Sequence, residues 1–317
     1  MARYGLKRLL LVVPTLLLVS LFVFAIVRAI PGDVVDMMLE QFQYGKSADE
    51  LRARLGLDRP LAAQYVTWVS GVFRGDLGQS LWTNRPASRD IAERFPVTLT
   101  LSLLSIVVSL AIALPVGIVA AVRQDSATDL ASRSLAVGAL SVPNFWLATL
   151  IIVFPSFYFH WAPPIGNFRR IGAGTVVYLS QFLLPALCLG ITQAGVIMRM
   201  TRAMMLEVLR QDYVRTARAK GLADRVVVLR HALRNALIPI VTVIGSQMPF
   251  YFGGSIVMEH IFGLPGVGSF VLEAISRRDY PVIQAVNLLV AGLVVLSNLL
   301  VDLSYGALDP RVREDET

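Results

Sequence analysis

The sequence predicts an all-α membrane protein with six transmembrane helices and a small external subdomain between the first two. Three observations carry that prediction. Hydrophobic residues make up 55% of the 317-residue chain and charged residues only 16%, with a mean hydropathy of +0.63, whereas soluble domains are about 25% charged. Charge-free runs long enough to cross a bilayer recur along the chain. The short polar segments between those runs alternate between base-rich and base-poor, the asymmetry that orients membrane helices. That asymmetry accounts for the net charge of +7 without a nucleic-acid partner.

Leu9–Val27 runs 19 residues without a charge behind Arg3, Lys7 and Arg8. It is longer than a signal-peptide core and is read as a retained first span. Segment 29–96 is mixed and polar: counted from Arg28 it holds nine acids and nine bases. Pro31-Gly32-Asp33 breaks the first helix, Ser47 and Glu50 have capping-box spacing, and Leu51, Leu55 and Leu57 give the next helix one apolar side. A further amphipathic piece, Ala62–Phe73, offers Tyr65 and Trp68 to a membrane interface.

Val97–Val122 is the second span, with Pro115 and Gly117 as possible kinks, and Ser134–Phe159 the third, interrupted by Pro143 and Pro155. Leu179–Met198 is the fourth, Asn235–Met258 the fifth and Val282–Val301 the sixth. In domain terms, 1–28 is the N-terminus and first span, 29–96 the external subdomain, 97–304 the transmembrane domain and 305–317 the tail. Six spans put both termini on one side. Met1–Arg8 has three bases, and Arg199–Arg234 has nine against three acids, so that side is cytoplasmic.

The longest late interruption, 199–235, is the candidate site. Asp212 is placed to cap a short helix over Tyr213–Lys220, and Gly221 to end it in the left-handed conformation. Asp224 is placed to open a second helix whose Val226–Leu229 packs on the first. A helix of about two turns is marginal alone. Ala217 and Ala219 admit a close partner, and Tyr213 offers an aromatic anchor. Two readings stand at this point: a docking helix for a cytoplasmic partner, or a basic loop lying among lipid headgroups.

The run Tyr213-Val214-Arg215-Thr216-Ala217-Arg218-Ala219-Lys220-Gly221, followed by His231-Ala232-Leu233-Arg234-Asn235-Ala236-Leu237-Ile238-Pro239, resembles the cytoplasmic loop of inner-membrane subunits of binding-protein-dependent ABC importers. The broad pattern there is Glu-Ala-Ala, three residues, Gly, nine residues, Ile-x-Leu-Pro. Only Ala217, Gly221 and Leu233 keep it; Arg215, Thr216, His231 and Arg234 depart in the manner of the dipeptide and oligopeptide permease family. Ile30-Pro31-Gly32-Asp33, Leu57-Asp58-Arg59-Pro60 with Gln64-Tyr65, and Gly75-Asp76-Leu77-Gly78-Gln79-Ser80 resemble the same family. So do Phe262-Gly263-Leu264-Pro265-Gly266-Val267-Gly268, Arg278-Asp279-Tyr280-Pro281 and Asp309-Pro310-Arg311-Val312-Arg313.

The resemblance implies the type I ABC importer permease fold in the bacterial inner membrane. It implies four kinds of partner besides the bilayer: a second homologous permease, two cytoplasmic ATPases, an external solute-binding protein and the imported solute. ATP and Mg2+ belong to the ATPases, so this chain is expected to bind no cofactor and catalyse no reaction. Asp212, Tyr213, Arg215, Thr216, Ala217, Arg218, Lys220 and Gly221 would form the ATPase-coupling loop. The implied solute is a di- or oligopeptide, with nickel complexes, glutathione and oligosaccharides as alternatives within the family.

Gln193, Gln247 and Asn287 are polar positions inside apolar runs, and Phe250 and Tyr251 adjoin them; these are the candidates for the translocation path. Hydrogen bonding between helices is the competing role for the polar ones, Asn298 included. Gly45-Lys46-Ser47 copies the end of a phosphate loop, but the first glycine of such a loop would stand where Glu40 is. Gly263–Gly268 lacks a strand-turn-helix setting and reads as tight turns. Cys188, in an apolar run, is read as packing, and the three histidines lack zinc-site spacing. A stand-alone channel or secondary transporter is the rival from another class; intramembrane acids or an internal repeat would mark it, and neither is visible, Asp302 adjoining the end of the sixth span.

Overall fold

The computed structural model describes residues 2–29, 34–42, 48–163, 165–169, 172 and 174–308, and over these the chain is helical with one isolated bridge, Gln79 to Pro86. The motifs Ile30-Pro31-Gly32-Asp33, Gly45-Lys46-Ser47 and Asp309-Pro310-Arg311-Val312-Arg313 lie outside the described residues. Contacts divide the chain into two units, Ala2–Thr98 with Pro265–Leu296, and Leu99–Leu264 with the segment from Ser297.

The first unit opens with α1 (Ala2–Ala29), α2 (Val34–Phe42), α3 (Ala48–Arg54) and α4 (Leu61–Phe73). Tyr65 and Trp68, offered by the sequence to a membrane interface, are half-buried against α1. Both rings pack on Phe24 of α1, at 5.4 and 6.5 Å between centroids, and the Tyr65 hydroxyl lies 2.9 Å from Ser20 Oγ. A phenol next to a hydroxyl in an apolar helix pair gives both polar groups a partner.

In the same unit the Gly75–Ser80 stretch meets Arg278–Pro281. Gly78 takes φ +93, and a Cβ there would stand 3.1 Å from Pro281 Cβ, so both the conformation and the approach require glycine. Ser80 Oγ donates to Asp279 Oδ2 at 2.5 Å and Leu81 N to Oδ1 at 3.1 Å. The start of α5 (Ala87–Val122) lies in this unit.

The second unit contains most of α5, then α6 (Ala127–Ser141), α7 (Asn144–Phe159), α8 (Thr175–Ser180) and α9 (Leu183–Leu209). There follow α10 (Asp212–Ala219), α11 (Asp224–Val226), a π-helical stretch Val227–Ala232, α12 (Leu233–Ser246) and α13 (Met248–Phe262). Of the last two helices, α14 (Val267–Ser276) belongs to the first unit, and α15 (Tyr280–Leu308) runs from the first into the second. The core of the second unit gathers small and medium apolar side chains, among them Ala113, Ala136, Ile197, Met205, Ala236 and Ile240. Glycines set the helix spacing: a Cβ on Gly117 would lie 2.8 Å from Thr201 Cβ, and one on Gly195 would lie 2.8 Å from the Ala136 carbonyl.

Five helices among the described residues are long and apolar enough to cross a membrane: Val12–Ala29, Ala87–Val122, Leu183–Leu209, Asp224–Ser246 and Tyr280–Val301. Two further pairs are long and apolar enough only when taken together, each bent at a short break: α6 with α7 by 90°, and α13 with α14 by 77°. The expected third span is two helices, α6 and α7, bent by 90° at Val142-Pro143. Proline lacks the N–H that would continue α6, and it disfavours helical backbone at the residue before it. The expected fifth span is split at Gln247 into α12 and α13, because Pro249 stands in the first turn of α13. The second span is one continuous helix through Pro115 and Gly117 and begins ten residues early, at Ala87 rather than Val97. The fourth extends past Met198 to Leu209, so the first residues of the expected 199–235 loop are helix. Glu259–Pro281, read as a glycine-rich loop, contains the end of α13 and all of α14.

Candidate functional site

The basic stretch after α9 folds as a compact helical corner. Residues Arg210 and Gln211 separate α9 from α10, and the helix covers Asp212–Ala219. Asp212 is not its N-cap. Gln211 holds that position with no side-chain bond, while Asp212 sits inside the first turn and pairs with Arg215 at 3.3 Å. A carboxylate in the first turn still suits the positive end of the helix dipole. Asp224 likewise follows the uncapped Ala223, and its carboxylate pairs with Arg218 at 3.3 Å.

The stop is as the sequence requires. Gly221 takes φ +79. Gly221 N donates to Arg218 O at 2.9 Å and Leu222 N to Ala217 O at 3.4 Å, the paired bonds of a Schellman close.

The helix has a distinct inner face. Val214 is fully buried and Ala217 nearly so; both pack on Val227, with Val208 and Leu209 alongside. Ala217 therefore admits the chain's own π-helical stretch, not a partner; Ala219 remains exposed. In the Val226–Leu229 cluster, only Val227 and Val228 pack inward, and Val226 and Leu229 stay exposed. The Tyr213 hydroxyl accepts from Asn235 Nδ2 at 2.6 Å and donates to the His231 carbonyl at 3.4 Å. Tyr213 is 42% exposed and still available to a partner. Asn235, which closes the corner, carries no local signal of this role; it stood in the sequence only within the longer motif.

The outer face is polar and positive. Asp212, Arg215, Thr216, Arg218 and Lys220 on or next to α10 are exposed, as are Arg225, Arg230 and Arg234 beyond it. Thr216 Oγ1 bonds back to the Asp212 carbonyl at 2.9 Å. The result is a short, internally braced knob presenting a basic surface.

The polar positions within spans are dispersed. Gln193 is buried in α9, and Gln247 is buried at the break between α12 and α13. Tyr251 is fully buried, its hydroxyl 2.5 Å from Ser109 Oγ of α5. Its neighbour Phe250 is 62% exposed on the other face of α13. Asn287, in the other unit, bonds the Ile283 carbonyl of its own helix at 2.8 Å. Cys188 is a buried free thiol.

Comparison with known proteins supplies the context. Residues 113–314 match the model of the family described as binding-protein-dependent transport system inner membrane component, and residues 1–102 match that of its N-terminal region. The chain is 40% identical to the dipeptide transport system permease protein DppB of Escherichia coli (strain K12), over 99% of both chains. It is 40% identical to a putative peptide transport system permease protein of Brucella abortus (strain 2308), over 98% of both. It is 41% identical to the glutathione transport system permease protein GsiC of Pectobacterium atrosepticum, over 99% of both. A crystal structure of an amino acid ABC transporter with histidines shares the fold, with a TM-score of 0.50 at 14% identity over 71% of this chain and 94% of that one.

Proposed function

Because the chain belongs to the family of binding-protein-dependent transport system inner membrane components, we infer that it lines the path of an ATP-driven importer and that its solute is a di- or oligopeptide. The observation that carries the mechanism is the α10 corner: a two-turn helix fixed from behind by Val214, Ala217 and Asn235, with its polar side free. Such a knob transmits force, because its inner contacts do not yield before its outer ones move.

In this reading two cytoplasmic ATPases hold the α10 corners of this chain and of a second, homologous permease. ATP and Mg2+ bind on those ATPases. Closure of the ATPases shifts α10 and, through it, α9 and α12. A bound ligand moves such an equilibrium only by its difference in affinity for the two states. ATP supplies that difference inside, and a loaded binding protein supplies it outside. Both termini and the α10 corner lie on the cytoplasmic face, a placement supported by the excess of bases there. Gln193, Gln247, Phe250, Tyr251 and Asn287 remain the candidate path residues; exposure favours Phe250, whereas the buried hydroxyl contact of Tyr251 favours a packing role.

Peptide is favoured by the names of the dipeptide and peptide relatives, and glutathione, itself a peptide, is the second reading, favoured by the third relative. Purification of the chain from its native membranes tests the assembly. Recovery of two ATPases and a second permease is expected; a lone homodimer would overturn it. Binding of labelled di- and tripeptides to the associated binding protein tests the solute. Selective binding of glutathione among them would favour the second reading.

A further inference from the structure

Asp129 is the most deeply buried carboxylate beside the corner just described, and nothing in the proposed machinery uses it. It stands in the first turn of α6 and is fully buried. Arg202 of α9 grips it side-on, Nε to Oδ1 at 2.6 Å and Nη2 to Oδ2 at 2.7 Å. Asp125 N donates to Oδ2 at 3.0 Å, and Arg133 Nε lies 3.7 Å from Oδ1. Both carboxylate oxygens are thus satisfied in a fixed plane, the arrangement in which a guanidinium sets orientation as well as distance.

The position of this clasp along the two helices matters. Arg202 lies seven residues before Leu209, the end of α9, from which α10 follows after Arg210 and Gln211. Val208 and Leu209 are the α9 side chains that pack on the inner face of α10. Arg210 itself bonds Gln124 Oε1 at 3.3 Å, in the same short loop that leads into Asp129. Seven residues further into each helix, Gly195 lies against the Ala136 carbonyl, so α6 and α9 run antiparallel in contact over two turns. Beyond the clasp, Gly195 lets the helices approach closely against the Ala136 carbonyl, Ala139 and Leu140, an apolar contact with no directional bond of its own. Asp129–Arg202 is a directional, two-pronged bond between α6 and α9.

We propose that Asp129 and Arg202 are positioning residues for transport: the clasp locks α6 to the end of α9 that carries α10, so that displacement of α10 drags α6 and, through the 90° bend, α7. The proposal rests on the reading of α10 as the ATPase-coupling helix. It assigns the polar segment from Arg123 into the first turns of α6 a mechanical task, and it makes the guanidinium fork, not the charge alone, the requirement.

The test uses the assembled complex with its copurified ATPases and binding protein in proteoliposomes, with labelled dialanine as the probe. Dialanine imported per ATP hydrolysed is measured, normalised to the amount of assembled complex. R202K keeps the charge and loses the fork; D129N keeps the volume and loses the charge. Each is expected to lower import per ATP at least about fivefold, the lower end of ordinary coupling between sites, and the reversed pair D129R/R202D is expected to recover part of it. A217D, which disrupts the inner face of α10, is the comparator. If A217D lowers the ratio while R202K and D129N leave it unchanged, the clasp proposal fails and the coupling reading stands. If A217D also leaves it unchanged, the coupling reading itself fails. If R202K and D129N only reduce the amount of assembled complex, with a normal ratio in what remains, the pair is structural and the proposal is overturned.

Discussion

The Tyr213 hydroxyl and the Asn235 amide, 22 residues apart, meet at 2.6 Å and tie α10 to the beginning of α12. Both groups are partly open to water, so the bond contributes about 1 kcal/mol net. Y213F and N235A are each expected to speed hydrogen exchange of the α10 amides roughly fivefold. The double variant should be little worse than either single one, since both remove the same bond. Additive effects in such a cycle would show that the two residues act separately.

Gly221 and Ala217 fail for different reasons when substituted. At φ +79 any residue with a Cβ is strained, so G221V should cost about 1–2 kcal/mol locally and unravel the last turn of α10. A217D places a carboxylate against Val214 and Val227. Both variants are expected to insert normally and to hydrolyse ATP without import, read as ATP turnover against peptide uptake in the same vesicles. Unimpaired uptake by both would remove α10 from the mechanism.

Two glycines predict opposite outcomes for rescue. A Cβ on Gly245 would overlap Val301, a side chain that can be trimmed; G245A should lower Tm by the equivalent of about 1–3 kcal/mol, and V301A should restore much of it. A Cβ on Gly117 would stand 2.8 Å from Thr201 Cβ and 2.9 Å from the Met198 carbonyl. Backbone cannot be trimmed, so T201A should leave G117A impaired. Differential scanning fluorimetry in detergent reads both pairs.

Ser80 and Asp279 supply a prediction with a pH sign. S80A leaves a buried carboxylate oxygen short of its donor and should cost about 1.5–3 kcal/mol. Burial pushes the Asp279 carboxyl above its ordinary range, against the lowering effect of the bonds from Ser80 and Leu81 and of nearby Arg277. A raised pKa means the folded state holds the proton more tightly than the unfolded chain. Stability from this group is therefore lost as pH rises through the raised value and regained on acidification. The Tm of wild type relative to D279N should climb as pH falls from neutral towards about 4. A flat difference would show that the carboxylate's hydrogen bonds cancel its burial.

Much of this architecture is legible in the sequence, and the exceptions share a cause. The long charge-free runs became helices because hydrocarbon leaves the backbone no other partner, and Gly221 ends α10 because few other residues accept its conformation. The end of α9 was hidden because Arg199, Arg202 and Glu207 look like a polar loop. Arg202 is tolerated in helix by a carboxylate 73 residues away, a pairing no local pattern reveals. Proline was an ambiguous sign. Pro115, Pro155 and Pro239 lie within helices, whereas Pro143 and Pro249 stand at breaks. The burial of Ala217 and the packing of Tyr65 and Trp68 on Phe24 likewise depend on surfaces brought in from elsewhere in the chain.

The π-helical stretch Val227–Ala232 acts as a phase shifter. An α-helix advances about 100° per residue, and a π-turn holds one residue more than an α-turn. Everything after Ala232 is therefore rotated relative to an unbroken helix from Asp224, and that rotation brings Asn235 round to Tyr213. The winding of the stretch, more than the identity of its apolar residues, sets the angle at which α12 leaves the corner. Winding these same residues as α-helix would turn Asn235 away by roughly a quarter of a revolution, whereas removing one residue would let the stretch wind as α-helix with Asn235 near its present angle.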